Sequence, residues 1–556
     1  MPTIEISKKD LFNLIGKNLT KKELEEDLML VKGELESING NVLKVEIADT
    51  NRPDLWSSEG IAREIKTKYG KTNNLSFEKL KNSGLIVKVD KNLKKIRPKT
   101  VCAVIKNLKL THEILSQLIQ LQEKICETFG NKRKEVAIGV YDLHKIKGPI
   151  NYKSFKPNDI KFIPLEFTKK LNLNQILRTH PKGKEYAHLL EEHSQYPLFL
   201  DSAGEVLSMP PIINSDYTGK VTEKTKAVFI ECSGFEFKYL MPSLNVIVAA
   251  LVDRGGELQT VKVVYPEKEI VTPNLKLKKI KINWKYIEKR TGLSIGKKNI
   301  IKLLKQANYK VKDKGNNLEL EYSSIRQDIM HPVDVVEDVT IRYGYNNIEP
   351  ISPKLITTQK INKINLFNKK IANILIGTGS QEILSYTLTN KNNLIEKMNL
   401  KNIKVVEVDN PVSKNWSSFR TWITPCLMEF LSKNTNKEYP QQIFEIGEVV
   451  VFDKNAETKT KNPVRVAWAK ADKKSDFTDA KQILDFLMNA IGLDYSIEEI
   501  KHDSFIEGRV GRVFVKNKSV AYVGEINPKV LSNFRIDMPV CTFELNLTEI
   551  CKLVKK

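Results

Sequence analysis

The sequence is poor in the features that mark many enzyme and membrane classes. It has no G-x-x-x-x-G-K-[ST] phosphate loop, no G-x-S-x-G nucleophile elbow and no H-E-x-x-H zinc helix. Its six cysteines (102, 126, 232, 426, 541 and 551) form no C-x-x-C pair. That argues against a zinc site and a disulfide scaffold, and suits a reducing compartment. Histidines are few; the closest pair, His188 and His193, falls on a charged stretch read as a solvated helix. The longest apolar run, residues 246–252, is far too short to span a bilayer. Residues 2–10 carry charge and lack an apolar signal core, so a cytoplasmic protein without membrane contact is expected. Internal repeats and long low-complexity tracts are missing too. Gly377-Thr378-Gly379 is too short for a phosphate loop and reads as a helix–strand turn.

What is present is length and positive charge. A chain of 556 residues should fold as three to five domains. Lys and Arg total 90 against 67 Asp and Glu, a net charge of +23, which favours a polyanionic partner. The excess is spread along the chain, with mild enrichment over residues 276–290.

Taken in order, the pattern gives a strand at 3–6, a helix at 8–15 and a second helix from Thr20, where Glu23 completes a capping box. A strand follows at 42–48, and an amphipathic helix at 58–69 closes on Gly70. Between them, residues 49–54 (D-T-N-R-P-D) read by chemistry alone as a solvated turn. Residues 71–83 are polar enough for a linker. From 100 to about 271 the chain reads as α+β. Strands are placed at 101–105, 136–140 and 228–232, a long helix at 113–128, and a hairpin at 198–208 turning through Ser202-Ala203-Gly204. Met241-Pro242 opens an apolar helix stopped by Gly255-Gly256. The last third mixes helices with strands at 404–408, 443–451, 464–469, 520–526 and 542–547.

The most informative stretch is 318–348. Leu318, Leu320 and Tyr322 alternate with polar residues as a half-buried strand. Pro332 suits a first helical turn, Val333, Val336, Val339 and Ile341 form an apolar stripe, and Gly344 fits a C-cap. Four carboxylates hang on this frame: Asp328, Asp334, Glu337 and Asp338. Clustered carboxylates suit Mg2+, held partly through water. On spacing alone, acidic residues in a first helical turn answer the helix dipole just as well.

The pattern R-x-D-I-x-H-x-x-D-x-x-E-D-x-x-x-x-Y-G-Y-x-x-I over 326–348 resembles the magnesium-binding domain of phenylalanyl-tRNA synthetase beta subunits. So does D-T-N-R-P-D-L-x-S-x-E-G-I-A-R-E-I (49–65) to that family's N-terminal domain. V-A-I-G-V-Y-D-L-x-x-I-x-G-P-I (136–150) and P-P-I-I-N (210–214) look like its archaeal and eukaryotic editing domain. N-P-V-S-x-x-W-S-x-F-R-T-W-I-T-P-C-L (410–427) and F-E-I-G-E-V (444–449) look like its catalytic-like domain.

The resemblance implies a multidomain α+β protein. Its parts are an N-terminal α/β domain (1–75), an α+β editing domain (98–272), a small winged-helix-like magnesium-binding domain (273–350) and a class II synthetase-like antiparallel-sheet domain without an active site (358–556). It implies Mg2+ at Asp328, Asp334, Glu337 and Asp338. It also implies an alpha subunit that binds ATP and phenylalanine, in an alpha-beta dimer of dimers on phenylalanine tRNA. The extra C-terminal anticodon-binding and oligonucleotide-binding domains of bacterial relatives are not expected.

Editing of mischarged tyrosyl-tRNA falls on Ser208, Asn214, Glu231 and Ser233, with Glu and Ser where archaeal relatives carry Asp and Thr. Cys232 between them should point to the core. Hydrolysis is expected to go through water, since no nearby histidine suggests a covalent nucleophile. Arg420 resembles the class II motif-two arginine, but no glycine-rich segment ending in Glu-Arg supplies a second phosphate-binding arginine, so no adenylate formation is expected here. Trp416 and Trp422 read as core or interface anchors. Removing Asp328 and Asp334 is expected to leave the fold intact. Two other classes stay open: a non-enzymatic RNA-binding scaffold, and a free-standing tRNA deacylase.

Overall fold

The computed structural model describes residues 2–71, 80–353 and 360–554. The chain divides into two compact units, Met1–Ile351 and Ser352–Lys556.

The first unit opens on a three-stranded antiparallel sheet in which Val42–Ile47 lies between Thr3–Ser7 and Gly33–Asn39. Helix Lys8–Ile15 follows the first strand directly, and Lys21–Leu28 starts at Thr20 with the expected reciprocal bonds to Glu23. Ser58–Ile65 is α-helical and tightens into a 3-10 turn, Lys66–Tyr69, before Gly70. The expected amphipathicity fails: every residue of Ser58–Ile65 is buried, charged Glu59, Arg63 and Glu64 included. Buried charges must be paired, and these are. Arg254 joins Asp10 (2.7 Å) and Glu59 (2.6 Å), and Arg63 joins Asp253 (2.6 Å). The solvated turn expected at 49–54 holds for Thr50 and Asn51, which are exposed, but not for Arg52 and Asp54, which are 6% and 2% exposed. Of the segment read as a linker, 72–79 lies outside the described residues, and Lys81–Ser83 already belongs to a strand.

The central sheet has ten strands, antiparallel except where Lys81–Val89 runs parallel to Glu257–Val264 and to Ile150–Phe155. Val228–Gly234 lies between Lys99–Lys106 and Val136–Asp142, and the strands Tyr196–Leu200, Val206–Met209 and Ile213–Asn214 form the far edge. Helix Phe237–Asp253 starts a turn earlier than its proline suggested and carries Pro242 inside. The last sheet of the unit places Asn317–Tyr322 between Lys278–Asn283 and Lys310–Lys314. Leu318, Leu320 and Tyr322 are buried as the alternation required. In the helix Pro332–Tyr343 the buried stripe is Val335, Val336 and Val339, with Asp338 and Thr340; Val333 and Ile341 are only half-buried. That rotation turns Asp338 inward and Glu337 outward.

The second unit is built on a seven-stranded sheet whose strands Gln441–Glu448, Val464–Ala471, Val540–Asn546, Lys518–Ile526 and Phe505–Val515 are consecutive neighbours. Helices Lys363–Gly377 and Phe477–Ala490 cover one face, where Trp468 stacks on Phe543 at 5.6 Å. Gly377-Thr378-Gly379 is the helix–strand turn it was read as. Residues 404–408 form no strand. They meet Ser418 through one isolated bridge at Glu407. His188 sits in a single 3-10 turn and His193 in a turn, not on a long helix. All six cysteines are free, and among the described residues no helix is long and apolar enough to cross a membrane.

Candidate functional site

A pocket of about 340 Å3 opens where the strand Val228–Gly234 meets the far-edge hairpin. Strand pairing sets Ser208 opposite Asn214, and Glu231 opposite Gly139. Ser208, Asn214 and Glu231 line the pocket together with Pro210-Pro211-Ile212-Ile213. Ser233 lies on the same strand face but is held elsewhere: its Oγ accepts from Arg97 Nε at 3.1 Å and its carbonyl from Arg97 Nη2 at 2.5 Å. Cys232 points to the core, as alternation required.

Glu231 is 1% exposed, and one carboxyl oxygen, Oε1, lies 3.1 Å from the Tyr141 hydroxyl. The other, Oε2, is buried without a hydrogen-bond partner. Burial pushes its pKa up to about 8, against a smaller opposing pull from Arg97. The Tyr141 hydroxyl also lies 2.7 Å from Ser208 Oγ, so Tyr141 ties two pocket residues together. Gly139 makes this possible. A Cβ there would sit 2.0 Å from Tyr141 Oη and 2.8 Å from Glu231 Oε1. Tyr141 and Gly139 were not foreseen as site residues, although both lie inside the 136–150 motif. His180 lines the pocket as well, but both ring nitrogens are engaged, Nδ1 by the Lys182 N–H (3.1 Å) and Nε2 by the Leu165 carbonyl (3.2 Å). An imidazole so tied is a structural group, not a nucleophile.

The four acidic residues also come to one place, a cavity of about 40 Å3 that all four line. Arg326 grips Asp328 through two hydrogen bonds and reaches Asp338 at 3.0 Å, while Tyr309 donates to Asp338 at 2.6 Å. Arg52 lies 3.6 Å from Asp328. Asp334 accepts the N–H groups of Met330 (2.8 Å) and His331 (2.6 Å) at the helix start, and Glu337 pairs with Lys32 at 2.7 Å. Burial opposes the charge on Asp328, yet the Arg326 hydrogen bond and the charge of Arg52 hold its carboxyl below the usual range. On Asp338 burial wins and the pKa rises.

Six carboxylates line the cavity against three cationic side chains, so its charge fits a cation. Its present arrangement does not fit direct coordination by the four together. Each already has a cationic or N–H partner, and among the described residues no three His, Cys, Asp or Glu side chains converge as metal ligands. In the second unit, Arg420 is 2% exposed and locked on Glu445 at 2.6 Å.

Comparison with known proteins gives first the class. Residues 98–243 match the B3/4 domain, 280–345 the tRNA synthetase B5 domain, and 348–547 the phenylalanyl tRNA synthetase beta chain CLM domain. This is a multidomain α+β subunit of an aminoacyl-tRNA synthetase. The phenylalanine--tRNA ligase beta subunit of Pyrococcus abyssi is 46% identical over 551 residues, covering 98% of this chain and 99% of that one. That of Methanosphaera stadtmanae is 34% identical, covering 99% and 100%. The crystal structure of an N-terminal fragment of the Pyrococcus horikoshii beta subunit is 46% identical, covering 62% of this chain and all of the fragment with a TM-score of 0.60. The chain belongs to the family of phenylalanine--tRNA ligase beta subunits.

Proposed function

We propose that this chain serves a cytoplasmic phenylalanine--tRNA ligase as scaffold and editor, hydrolysing tyrosine misattached to phenylalanine tRNA. The observation that carries this reading is the unpartnered, buried Oε2 of Glu231 in a pocket of ring size. A tyrosyl ring brings a hydroxyl to that oxygen. A phenylalanyl ring leaves it unsatisfied, at a cost of about 1–3 kcal/mol. A site built around a hydroxyl partner rejects the analogue that lacks it, whereas an apolar pocket selecting phenylalanine excludes tyrosine by only roughly 100-fold. Asn214 lines the same pocket and would bond the substrate beside Glu231. Ser208, tied through Tyr141, keeps the Glu231 oxygen aimed. Ser233 acts at one remove, by holding Arg97.

Aminoacylation belongs to an alpha subunit that binds ATP and phenylalanine, the two chains forming an alpha-beta dimer of dimers. Support for a non-catalytic second unit comes from Arg420, whose guanidinium is spent on Glu445. The part boundaries 1–75, 98–272, 273–350 and 358–556, and the winged-helix likeness of the third part, belong to the same reading. Mg2+ at the acidic cavity would be held largely through water by Asp328, Asp334, Glu337 and Asp338, offsetting the excess negative charge there.

Co-purification from native cells followed by a deacylation assay tests this. An alpha-type partner together with clearance of tyrosyl-tRNA supports it. A partner without deacylation leaves a scaffold, and deacylation without a partner leaves a free-standing deacylase.

A further inference from the structure

The seven-stranded sheet of the second unit carries a cavity of about 270 Å3 on the face opposite Trp468 and Phe543. Strand pairing lines up Arg512, Tyr522 and Glu544 as one cross-strand row, and Arg465 enters from the next strand. Two guanidiniums thus share the cavity with one carboxylate. That carboxylate is already full: Glu544 Oε2 accepts the Ile423 and Thr424 N–H groups (2.9 Å each) and the Thr424 hydroxyl (2.8 Å), and Oε1 takes Arg465 Nη1 (3.0 Å). Arg465 Nε is buried without a partner. Arg512 lies 3.9 Å over the Tyr522 ring, with the Ser519 hydroxyl on its Nε. Burial, and then the neighbouring Arg465 charge, lower its pKa. A buried, unpartnered Arg465 Nε beside a half-buried second guanidinium calls for an anion.

The remaining wall mixes aliphatic residues such as Leu400 and Ile403 with an aromatic cluster. His502 sits between Trp422 (5.8 Å between ring centres), Phe505 (5.1 Å) and Tyr522 (5.0 Å). Trp422 and Tyr522 both line the cavity and are only half-buried, so part of each side chain stays accessible there. An aromatic cluster beside two under-compensated guanidiniums matches a ligand that carries a planar ring and an anionic group on one small frame.

We propose that this cavity is a binding site for a small aromatic anion. The ring packs against Trp422, beside the Tyr522 ring that Arg512 covers, and the carboxylate or phosphate takes the free donors of Arg512 and Arg465. Two sources share that chemistry, a nucleoside monophosphate and an aromatic amino acid. Binding is non-covalent, and no reaction at the cavity follows from it.

The full-length chain is titrated separately with AMP, with L-phenylalanine and with inorganic phosphate, read by saturation-transfer NMR and tryptophan emission. The expected result is saturable binding of AMP or of phenylalanine at about millimolar concentration or tighter. Phosphate binds at least about ten-fold more weakly, because it leaves the aromatic cluster uncovered. Arg512→Ala and Arg512→Lys each weaken the ring-bearing ligand about ten-fold, since a lysine keeps the charge but not the planar fork. Trp422→Phe abolishes the emission change. Arg512→Lys decides the matter should the alanine variant fold poorly in a thermal melt. Absence of binding by both AMP and phenylalanine up to about 10 mM overturns the proposal. So does affinity unchanged in Arg512→Lys, which would place any binding elsewhere on the chain.

Discussion

Glu231 is the side chain on which the proposed editing turns: it is buried, with one carboxyl oxygen unpartnered. Its folded pKa of about 8 stands above the ordinary carboxylate value of 4.5, so the folded state holds a proton that the unfolded state releases. The sign follows: its contribution to stability is fully present below pH 4.5 and is lost as pH rises through about 8. Glu231→Gln should therefore match the wild type in thermal unfolding near pH 5 and exceed it near pH 9. Equal melting shifts at both values would show that the carboxyl is ionised and compensated in the fold. Gly139→Ala belongs to the same scale. Its Cβ would strike Tyr141 and Glu231, so deacylation should fall about ten-fold or more while the fold loses about 1–3 kcal/mol. Unchanged deacylation in a folded variant would detach Tyr141 from the site. The family resemblance pointed to Glu231, Ser208 and Asn214, and the fold brings these three to one pocket. The resemblance did not point to Gly139, because the need for a missing Cβ arises only once Tyr141 crosses from its own strand to the neighbouring ones.

At the scale of elements, charge reading by sequence met its limit in the unit 318–348. Strand, proline-led helix and Gly344 cap follow from alternation and backbone preference, and they stand where expected. The helix rotation does not follow, because Val333 and Val335 are equal candidates for a buried stripe until the sheet Lys278–Asn283, Lys310–Lys314 and Asn317–Tyr322 is in place. With the rotation fixed, Asp338 turns to Arg326 and Tyr309, and Asp328 becomes the counter-charge of two buried arginines. The expectation that Asp328 and Asp334 could be removed without harm is thereby reversed. Asp328→Ala leaves Arg326 and Arg52 under-compensated and should destabilise by about 3–5 kcal/mol, read by chemical denaturation. A loss below about 1 kcal/mol would mean that the clamp is replaceable. Glu337→Gln, which gives up only a partly exposed pair with Lys32, should cost less than about 1 kcal/mol. It should also weaken Mn2+ binding, followed by electron paramagnetic resonance as a stand-in for Mg2+. Unaltered Mn2+ binding would remove Glu337 from the cation's surroundings. The burial of Arg52 and Asp54 escaped sequence reading for the same reason: Arg52 looks solvated until Glu64, from the following helix, and Asp328, from a distant part of the chain, meet it.

At the scale of the whole molecule, the chain divides into two compact units with their own sheets, one bearing the pocket proposed for editing and the other a sheet on which Arg420 is locked on Glu445. The pure chain should therefore show no phenylalanine-dependent pyrophosphate exchange, and exchange should appear when the alpha subunit is added. Exchange by the chain alone would contradict the assignment of catalysis to the partner. The central claim is that hydroxyl recognition by Glu231 drives removal of tyrosine. The most direct measurement is the hydrolysis rate of preformed tyrosyl-tRNA and phenylalanyl-tRNA by the assembled complex, wild type against Glu231→Ala. The account predicts that the wild-type complex clears tyrosyl-tRNA well above the spontaneous rate. It also predicts that the variant loses roughly ten-fold or more of that rate, the kinetic equivalent of about 1–3 kcal/mol, with phenylalanine charging unchanged. Clearance of tyrosyl-tRNA at equal rates by wild type and variant, or no clearance above background by the wild type, would contradict it.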